Sequence, residues 1–316
     1  MSSPAVAAGA TTAARPRSRA ARRFSAVEVW FRVHAALVYV FLFLPIAVVV
    51  VLSFNATNRN VTDWQGVSIK WYQAALASEQ VQKALWNSIT IAFANAVLAC
   101  IFGTMAALGL QRVRSRVRIA FDALTYISVI IPEIVIALAT LVLFKLVQDA
   151  ANPTLLELSG GKFKIGLGQW SIVAAHVLFN TSLVLLLVRA RLAGMDRTHV
   201  EASYDLYATP WRTFRQVTFP QLLPAIVAGF LLAFTFSFDD YVISQFVSGP
   251  GSQTLPLFVF GQTRQGVTPL VNAVAAMMLL ATLGVLLIGQ WALARNARRS
   301  GGAQTGGMAG MIAEQT

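Results

Sequence analysis

VEASYDLYATPWRTFRQVTFPQLLP, residues 200–224, is a polar, amphipathic segment set between two long apolar runs. Its reading decides the fold, because the stretches around it are built for a lipid bilayer and this one is not. Thr198, with Glu201 three residues later, forms a capping-box pattern and predicts a short helix over 200–207. Thr209-Pro210 reads as the cap and first position of a second helix, Trp211 to Val217. Pro220 and Pro224 mark the entry to the next apolar run. The expected product is a helix–turn–helix lying along a membrane face. It offers Glu201 and Asp205 on one side, and Tyr207 and Trp211 for burial in a partner's groove. The alternative is a surface amphipathic helix with no partner.

Outward from this segment, the 316 residues are 56% hydrophobic and only 12% charged, with mean hydropathy +0.63. Soluble domains carry about 25% charged residues, so this composition predicts a membrane protein, all-α with lipid around it. A helix crossing the hydrocarbon core needs roughly 20 apolar residues. Runs near that length cover 34–54, 87–110, 121–147, 168–190, 222–247 and 271–294. The formal charge of +12 would point to nucleic acid on a soluble protein. Here the arginines bunch at the ends of apolar runs, which fits membrane topology and argues against a nucleic-acid partner. Alternate inter-run regions hold 18 and 7 of the Lys and Arg residues. The positive-inside rule puts the richer set, and so both termini and the 198–224 loop, in the cytoplasm. Six crossings agree with that. Residues 1–32 read as a disordered basic cytoplasmic tail, 33–295 as the six-span domain and 296–316 as a disordered C-terminal tail. The first of these lacks a small-residue cleavage site ahead of its apolar run. A transit peptide of similar composition, and with it an organellar address, is the alternative.

Cys100 is the single cysteine, which excludes an internal disulfide or a CxxC metal site. His34, His176 and His199 have no metal-ligand spacing. No GxxxxGK[ST] phosphate loop, HExxH or GxSxG is present. The chain therefore shows no engine of its own, and no cofactor site. Uphill movement of a solute would draw on an ion gradient or on another subunit. Between runs, 64–72 (WQGVSIKWY) reads as an interfacial aromatic belt, Gln73 to Trp86 as a short helix on the outer surface, and 248–270 as a connector or a partner contact.

A carboxylate at mid-bilayer costs roughly 2.5–3.5 kcal/mol on insertion scales, so acids within spans are functional candidates. Glu133 follows Pro132, which breaks backbone bonding in the third run. Asp239 and Asp240 lie in the fifth. At 100° per residue Asp240 shares a stripe with Ser237 and Ser244, while Asp239 points nearer Thr235. Phe230, Phe234, Phe238 and Tyr241 line another face, as helix packing or as a cation cage. Acids beside aromatics suit a cationic solute. The competing reading places both aspartates in the wet outer interface.

The 200–224 segment resembles the EAA loop of bacterial ABC importer permeases: E-A-A, three residues, G, nine residues, I, any, L-P. Glu201-Ala202-Ser203, Val217 and Phe219-Pro220 stand at those positions, and Tyr207 stands where the Gly belongs. Gly permits positive φ, so Tyr207 implies a different turn or a reshaped contact. WQGVSIKWY, Ile131 to Val135, Ser237 to Phe260 and Gly266 to Ala275 are similar to the second permease subunit of polyamine importers of the putrescine and spermidine type. The resemblance implies a type I ABC importer permease (MetI-like) fold in the bacterial inner membrane. It implies a second permease subunit, two cytoplasmic ATPase subunits that bind the ATP and Mg, and an extracytoplasmic polyamine-binding protein. It also implies that Glu201, and with it Ala202, Asp205, Tyr207 and Trp211, serves ATPase docking. Glu133, Ser237, Asp239, Asp240 and Tyr241 are the expected solute path. Rival readings are an ABC permease for another solute, a gradient-driven transporter using Glu133 or Asp240, and a membrane-embedded enzyme.

Overall fold

The computed structural model describes residues 26–58, 61–196 and 198–313. The expected N-terminal tail lies outside the described residues up to residue 25, and from Ala26 its remainder is helical. The chain divides into two compact units, Met1–Val48 and Val49–Thr316. The described part of the first is most of one apolar helix, α1 (Ala26–Ser53). The second holds the other helices, α2 (Lys70–Ala77), α3 (Glu79–Gly109), α4 (Ser115–Ile130), α5 (Glu133–Leu158), α6 (Gln169–Ala193), α7 (Thr198–Asp205) and α8 (Pro210–Thr213), then α9 (Phe219–Asp239), α10 (Val242–Val247), α11 (Leu255–Thr263) and α12 (Pro269–Ala313). A π turn, Phe214–Thr218, joins α8 to α9.

Among the described residues, six stretches are long and apolar enough to cross a membrane: Val27–Ser53, Glu79–Gly109, Glu133–Leu158, Gln169–Ala193, Pro210–Asp239 and Pro269–Arg295. The number agrees with the sequence, but several bounds differ for physical reasons. The third apolar run is two helices, because Ile131 and Pro132 are extended and end α4 ahead of α5. The fifth stops at Asp239; Asp240 is extended, and α10 restarts the helix two residues on. The stretch Gln73 to Trp86 is divided: Gln73 to Ala77 end α2, and Glu79 to Trp86 open the long α3, which Ser78 caps by accepting the Val81 N–H. Inside 248–270, α11 packs Leu255 and Phe258 into the core, so this is no plain connector. The helix of α12 continues through 296–313, where the sequence predicts a disordered tail.

The core is made of α3, α6 and α9. Along α3 the small residues Ala92, Ala96, Ala99, Gly103 and Ala107 recur at three and four positions, one stripe of a helix. Apolar side chains gain little by leaving lipid for protein, so tight contact between small residues is what holds membrane helices together. A Cβ on Gly103 would lie 2.8 Å from Val184 Cβ, and one on Gly229 of α9 would lie 3.3 Å from Val184 Cγ1. Val184 of α6 is thus gripped between two glycines. Gly103→Leu is expected to cost about 1–3 kcal/mol by overpacking, measured as a lower Tm of the detergent-solubilised protein.

Buried amides tie the bundle further. Asn95 donates to the Ala233 carbonyl at 2.9 Å. Asn87 donates to the carbonyls of Gly251 (3.0 Å) and Gln253 (2.9 Å), and accepts from Gln169 at 2.6 Å. These bonds pin the turn ahead of α11 to α3. On the other side, both guanidinium nitrogens of Arg189 (α6) reach the Asp122 carboxylate, joining α4 to α6.

Candidate functional site

Two places concentrate polar chemistry: the helix break at Asp240 and the loop over α7 and α8. At the first, Asp240 leaves the α9 helix with φ −67° and ψ 127°. Its side chain caps the restart. Oδ1 accepts the Ile243 N–H at 3.2 Å and Oδ2 the Ser244 N–H at 2.8 Å. His176, from the middle of α6, closes the arrangement: Nε2 lies 3.0 Å from Asp240 Oδ2, and Nδ1 lies 2.7 Å from Ser237 Oγ. The two side chains are only 2% and 4% exposed. A carboxylate oxygen only accepts, so Nε2 carries the hydrogen. Nδ1 and the Ser237 hydroxyl share the second bond of the ring. Ser244 Oγ lies 3.4 Å from Nε2. The Ser237–Asp240–Ser244 set expected from a continuous helical stripe is therefore held together by a cap and a histidine, since the helix is broken inside it.

Asp239 behaves differently. It is exposed and accepts from Thr282 of α12 at 3.2 Å. It lines two cavities. One, about 490 Å³, also has Tyr241, Phe260, Thr263, Met278 and Thr282 on its wall. The other, about 540 Å³, has Glu133, Phe179, Thr235, Asp240 and Tyr241. Tyr241 packs at a tilt against Phe260 with ring centroids 4.2 Å apart. Glu133, the first residue of α5, stands on the same cavity wall as Asp240. Breaks in α4–α5 and α9–α10 thus meet at one cavity, which is where irregular backbone is tolerated in a membrane protein. Phe230, Phe234 and Phe238 stack along α9, and Phe238 is buried. That stripe is helix packing; the cavity aromatics are Tyr241, Phe260, Phe179 and Phe236. Asp239 meets Thr282, not Thr235, whose buried hydroxyl has no hydrogen-bond partner among the described residues.

The sequence reading names Glu133, Asp239, Asp240 and Tyr241, and the structure brings all four to one cavity wall. Ser237 stands behind it, bonded to His176. His176, Thr282 and Phe260 were missed. His176 carried a usable signal: a titratable ring inside an apolar run is a functional candidate in the same sense as an acid there. Thr282 and Phe260 come from other helices and have no local signature.

The loop folds as two arms. Thr198 opens α7, and Asp196 Oδ1 accepts its N–H at 2.9 Å and its hydroxyl at 2.7 Å. The Thr198 hydroxyl and amide hold the Asp196 carboxyl below the usual carboxylate range. Thr209 caps α8 as expected, accepting from Arg212 N–H, with Pro210 at the first turn. Ser203 and Thr213 hydroxyls, 2.9 Å apart, join the arms. The second arm does not stop at Pro220. The π turn carries it into α9 as one stretch, Pro210–Asp239, because a wider turn tolerates the N–H that proline lacks. Glu201 and Trp211 line a cavity of about 760 Å³ with Arg112, Asp196 and Tyr204; Ala202, Asp205 and Tyr207 are not on its wall.

Tyr207 adopts φ 58°, the one positive-φ non-glycine residue among those described. Ala208 N–H bonds the Ser203 carbonyl and Tyr207 N–H the Tyr204 carbonyl, at 3.0 and 2.9 Å. This is a Schellman cap with Tyr in the place glycine usually takes. The turn is thus the one a glycine would make, and only the side chain is new. The ring is 95% exposed, so nothing within the described chain offsets the cost of about 1–2 kcal/mol for a left-handed residue. Tyr207→Gly is expected to slow amide exchange across 198–209 about threefold to tenfold in the isolated permease. Faster exchange would mean the ring holds the turn.

Comparison with known proteins fits this architecture. Residues 99–301 match the family model described as "Binding-protein-dependent transport system inner membrane component". The chain is 37% identical over 259 residues to the spermidine/putrescine transport system permease protein PotC of Haemophilus influenzae, covering 82% of this chain and 94% of that protein. It is 37% identical over 271 residues to the putrescine transport system permease protein PotI of Escherichia coli, covering 85% and 92%. Among solved structures, it superposes on a chain of a bacterial alginate ABC transporter with TM-score 0.66 at 13% identity, covering 84% of this chain and 95% of that one. For the MetNI methionine ABC transporter the TM-score is 0.54 at 16% identity, covering 69% and 98%. At such identities the structures speak for the fold alone. With that fold, six apolar helices and a family match over most of its length, the chain belongs to the binding-protein-dependent transport system inner membrane components and is a multi-pass permease of the type I ABC importer fold.

Proposed function

We propose that this permease forms part of the path by which a polyamine such as putrescine or spermidine crosses the inner membrane. A separate cytoplasmic ATPase docks on the 198–224 loop and drives the step. The observation that carries the reading is Asp239, an exposed carboxylate between two cavities, with Tyr241 packed at a tilt against Phe260 beside it and Glu133 on the same wall. An aliphatic polyamine carries ammonium groups separated by methylenes. Carboxylates take the ammoniums and aromatic faces take both the charge and the chain. The relatives with named solutes are spermidine/putrescine and putrescine permeases, which supports the same class.

The chain itself is non-catalytic in this reading. It binds no ATP or Mg, which belong to the ATPase subunits, and it works beside a second permease subunit and an extracytoplasmic binding protein. The arginine asymmetry of its loops sets both termini and the 198–224 loop on the cytoplasmic side. Exposed Glu201, Asp205, Leu206, Tyr207 and Trp211 give that loop charged and aromatic groups for a partner's groove.

Affinity purification from native membranes tests the partners, and calorimetric titration of the co-purifying binding protein tests the solute. ATPase subunits and a second permease are expected in the purified complex, with heat from putrescine or spermidine and none from unrelated solutes. A complex lacking any ATPase, or a binding protein silent to every polyamine, would contradict the respective half of the reading.

A further inference from the structure

The cavities, the loop, the ion pair at Arg189 and the buried amides all belong to the site or the packing already described. His176 is different. It sits in α6, off the cavity wall, is 1% exposed overall, and spends both ring nitrogens on residues flanking the helix break.

We propose that His176 is a positioning residue for transport: by holding Asp240 as the cap of α10, it sets the break that presents Asp239 to the cavities. This rests on the polyamine-path reading above, but adds a residue and a mechanism to it. The argument runs through the hydrogen bonds. Asp240 takes three donors: two backbone N–H groups and the imidazole Nε2. Its lone pairs are thereby occupied, so it has little left for a passing ammonium. Its neighbour Asp239 has one weak partner, Thr282 at 3.2 Å. The two adjacent carboxylates have therefore divided the work: one fixes backbone, the other faces the cavity.

The imidazole is what makes Asp240 a one-position cap. Without it, the carboxylate still has the two N–H groups but loses the bridge to α6, and χ1 of Asp240 can swing toward the cavity. Ser237 fixes the ring from the other side, as outer hydrogen bonds fix metal-ligating histidines. A shift of the break by one residue would turn Asp239 by about 100° around the helix axis and take it off the wall it shares with Thr282.

The test uses the complete transporter, permease pair with ATPase and binding protein, in vesicles. His176→Ala is expected to lower the Vmax of ATP-driven putrescine uptake per assembled complex about tenfold. KM stays near the wild-type value, because the binding protein sets capture. His176→Gln, whose amide can donate to Asp240 and accept from Ser237, is expected to restore most of the loss. A purely structural role would change the yield of assembled complex and its Tm, not turnover per complex. In parallel, deuterium exchange over 240–248 reads the cap without any solute. His176→Ala should speed exchange at the Ile243 and Ser244 amides tenfold or more, and His176→Gln should not. Ser237→Ala, a single hydroxyl deletion, carries the test if His176→Ala fails to assemble, with about a threefold loss in Vmax and faster exchange at the same amides.

Wild-type turnover in His176→Ala or, in its place, Ser237→Ala, no rescue by His176→Gln, or unchanged exchange at 243 and 244 would each overturn the proposal. Absence of putrescine uptake by the wild-type complex would instead count against the polyamine reading, and the exchange measurement would still decide the role of His176.

Discussion

Asp239→Asn is expected to lower polyamine import by about ten- to a hundredfold while leaving the complex assembled. The size follows from what is lost. A hydrogen bond to a charged group contributes about 1.5–3 kcal/mol, and each 1.4 kcal/mol is tenfold. The side chain is exposed and bonded only to Thr282 among the described residues, so removing its charge disturbs no packing. Asp240→Asn is the informative contrast. That residue is buried and accepts from Ile243, Ser244 and His176. An amide offers one acceptor where the carboxylate has two, leaving buried donors unpaired at about 1–3 kcal/mol each. Loss of import at Asp240 should therefore come with a lower Tm, and loss at Asp239 should not. ATP-driven uptake of labelled putrescine and thermal unfolding of each variant check the pair. Equal behaviour in both measurements would mean the two carboxylates are not divided as the geometry divides them.

The second large effect is expected at the loop. Glu201→Ala should weaken ATPase association by about a hundredfold and abolish coupled ATP hydrolysis. The acid is exposed on the wall of the cavity that also holds Trp211 and Tyr204. Truncating one member of a desolvated charge pair across an interface costs about 2–5 kcal/mol. Asp205→Ala, off that wall, should cost far less. Pull-down of the ATPase by permease variants in detergent measures this, and wild-type association by Glu201→Ala would remove the acid from the docking role.

Much of the fold was legible because bilayer physics leaves few options. Six apolar runs were enough to count the spans. What the periodicity missed were the interruptions. Pro132 announced the first break. The second, at Asp240, has no proline or glycine to mark it; an aspartate there is an N-cap for the helix that follows. Read as a mid-helix acid, Asp240 stood beside Asp239 as a second candidate for the solute path. The sequence placed Pro220 and Pro224 at the entry to the fifth run; Pro220 stands in the first turn of α9, which the π turn joins to α8 without a break, and Pro224 lies inside the helix. Tyr207 was read as a different turn or a reshaped contact. The backbone kept the glycine conformation, because the Schellman bonds to Ser203 and Tyr204 hold it there. Partners that come from distant helices, His176 to Asp240 and Thr282 to Asp239, are set by packing of α6 and α12. No local pattern encodes them.

Uptake by the reconstituted transporter tests the central claim most directly. The permease, its partner permease and the ATPase are placed in sealed vesicles with the binding protein outside and labelled putrescine or spermidine supplied. Accumulation should require ATP at the ATPase face, and should vanish when the ATPase is omitted or cannot hydrolyse ATP. Accumulation by the permease alone, driven by a proton gradient and indifferent to ATP, would contradict the account.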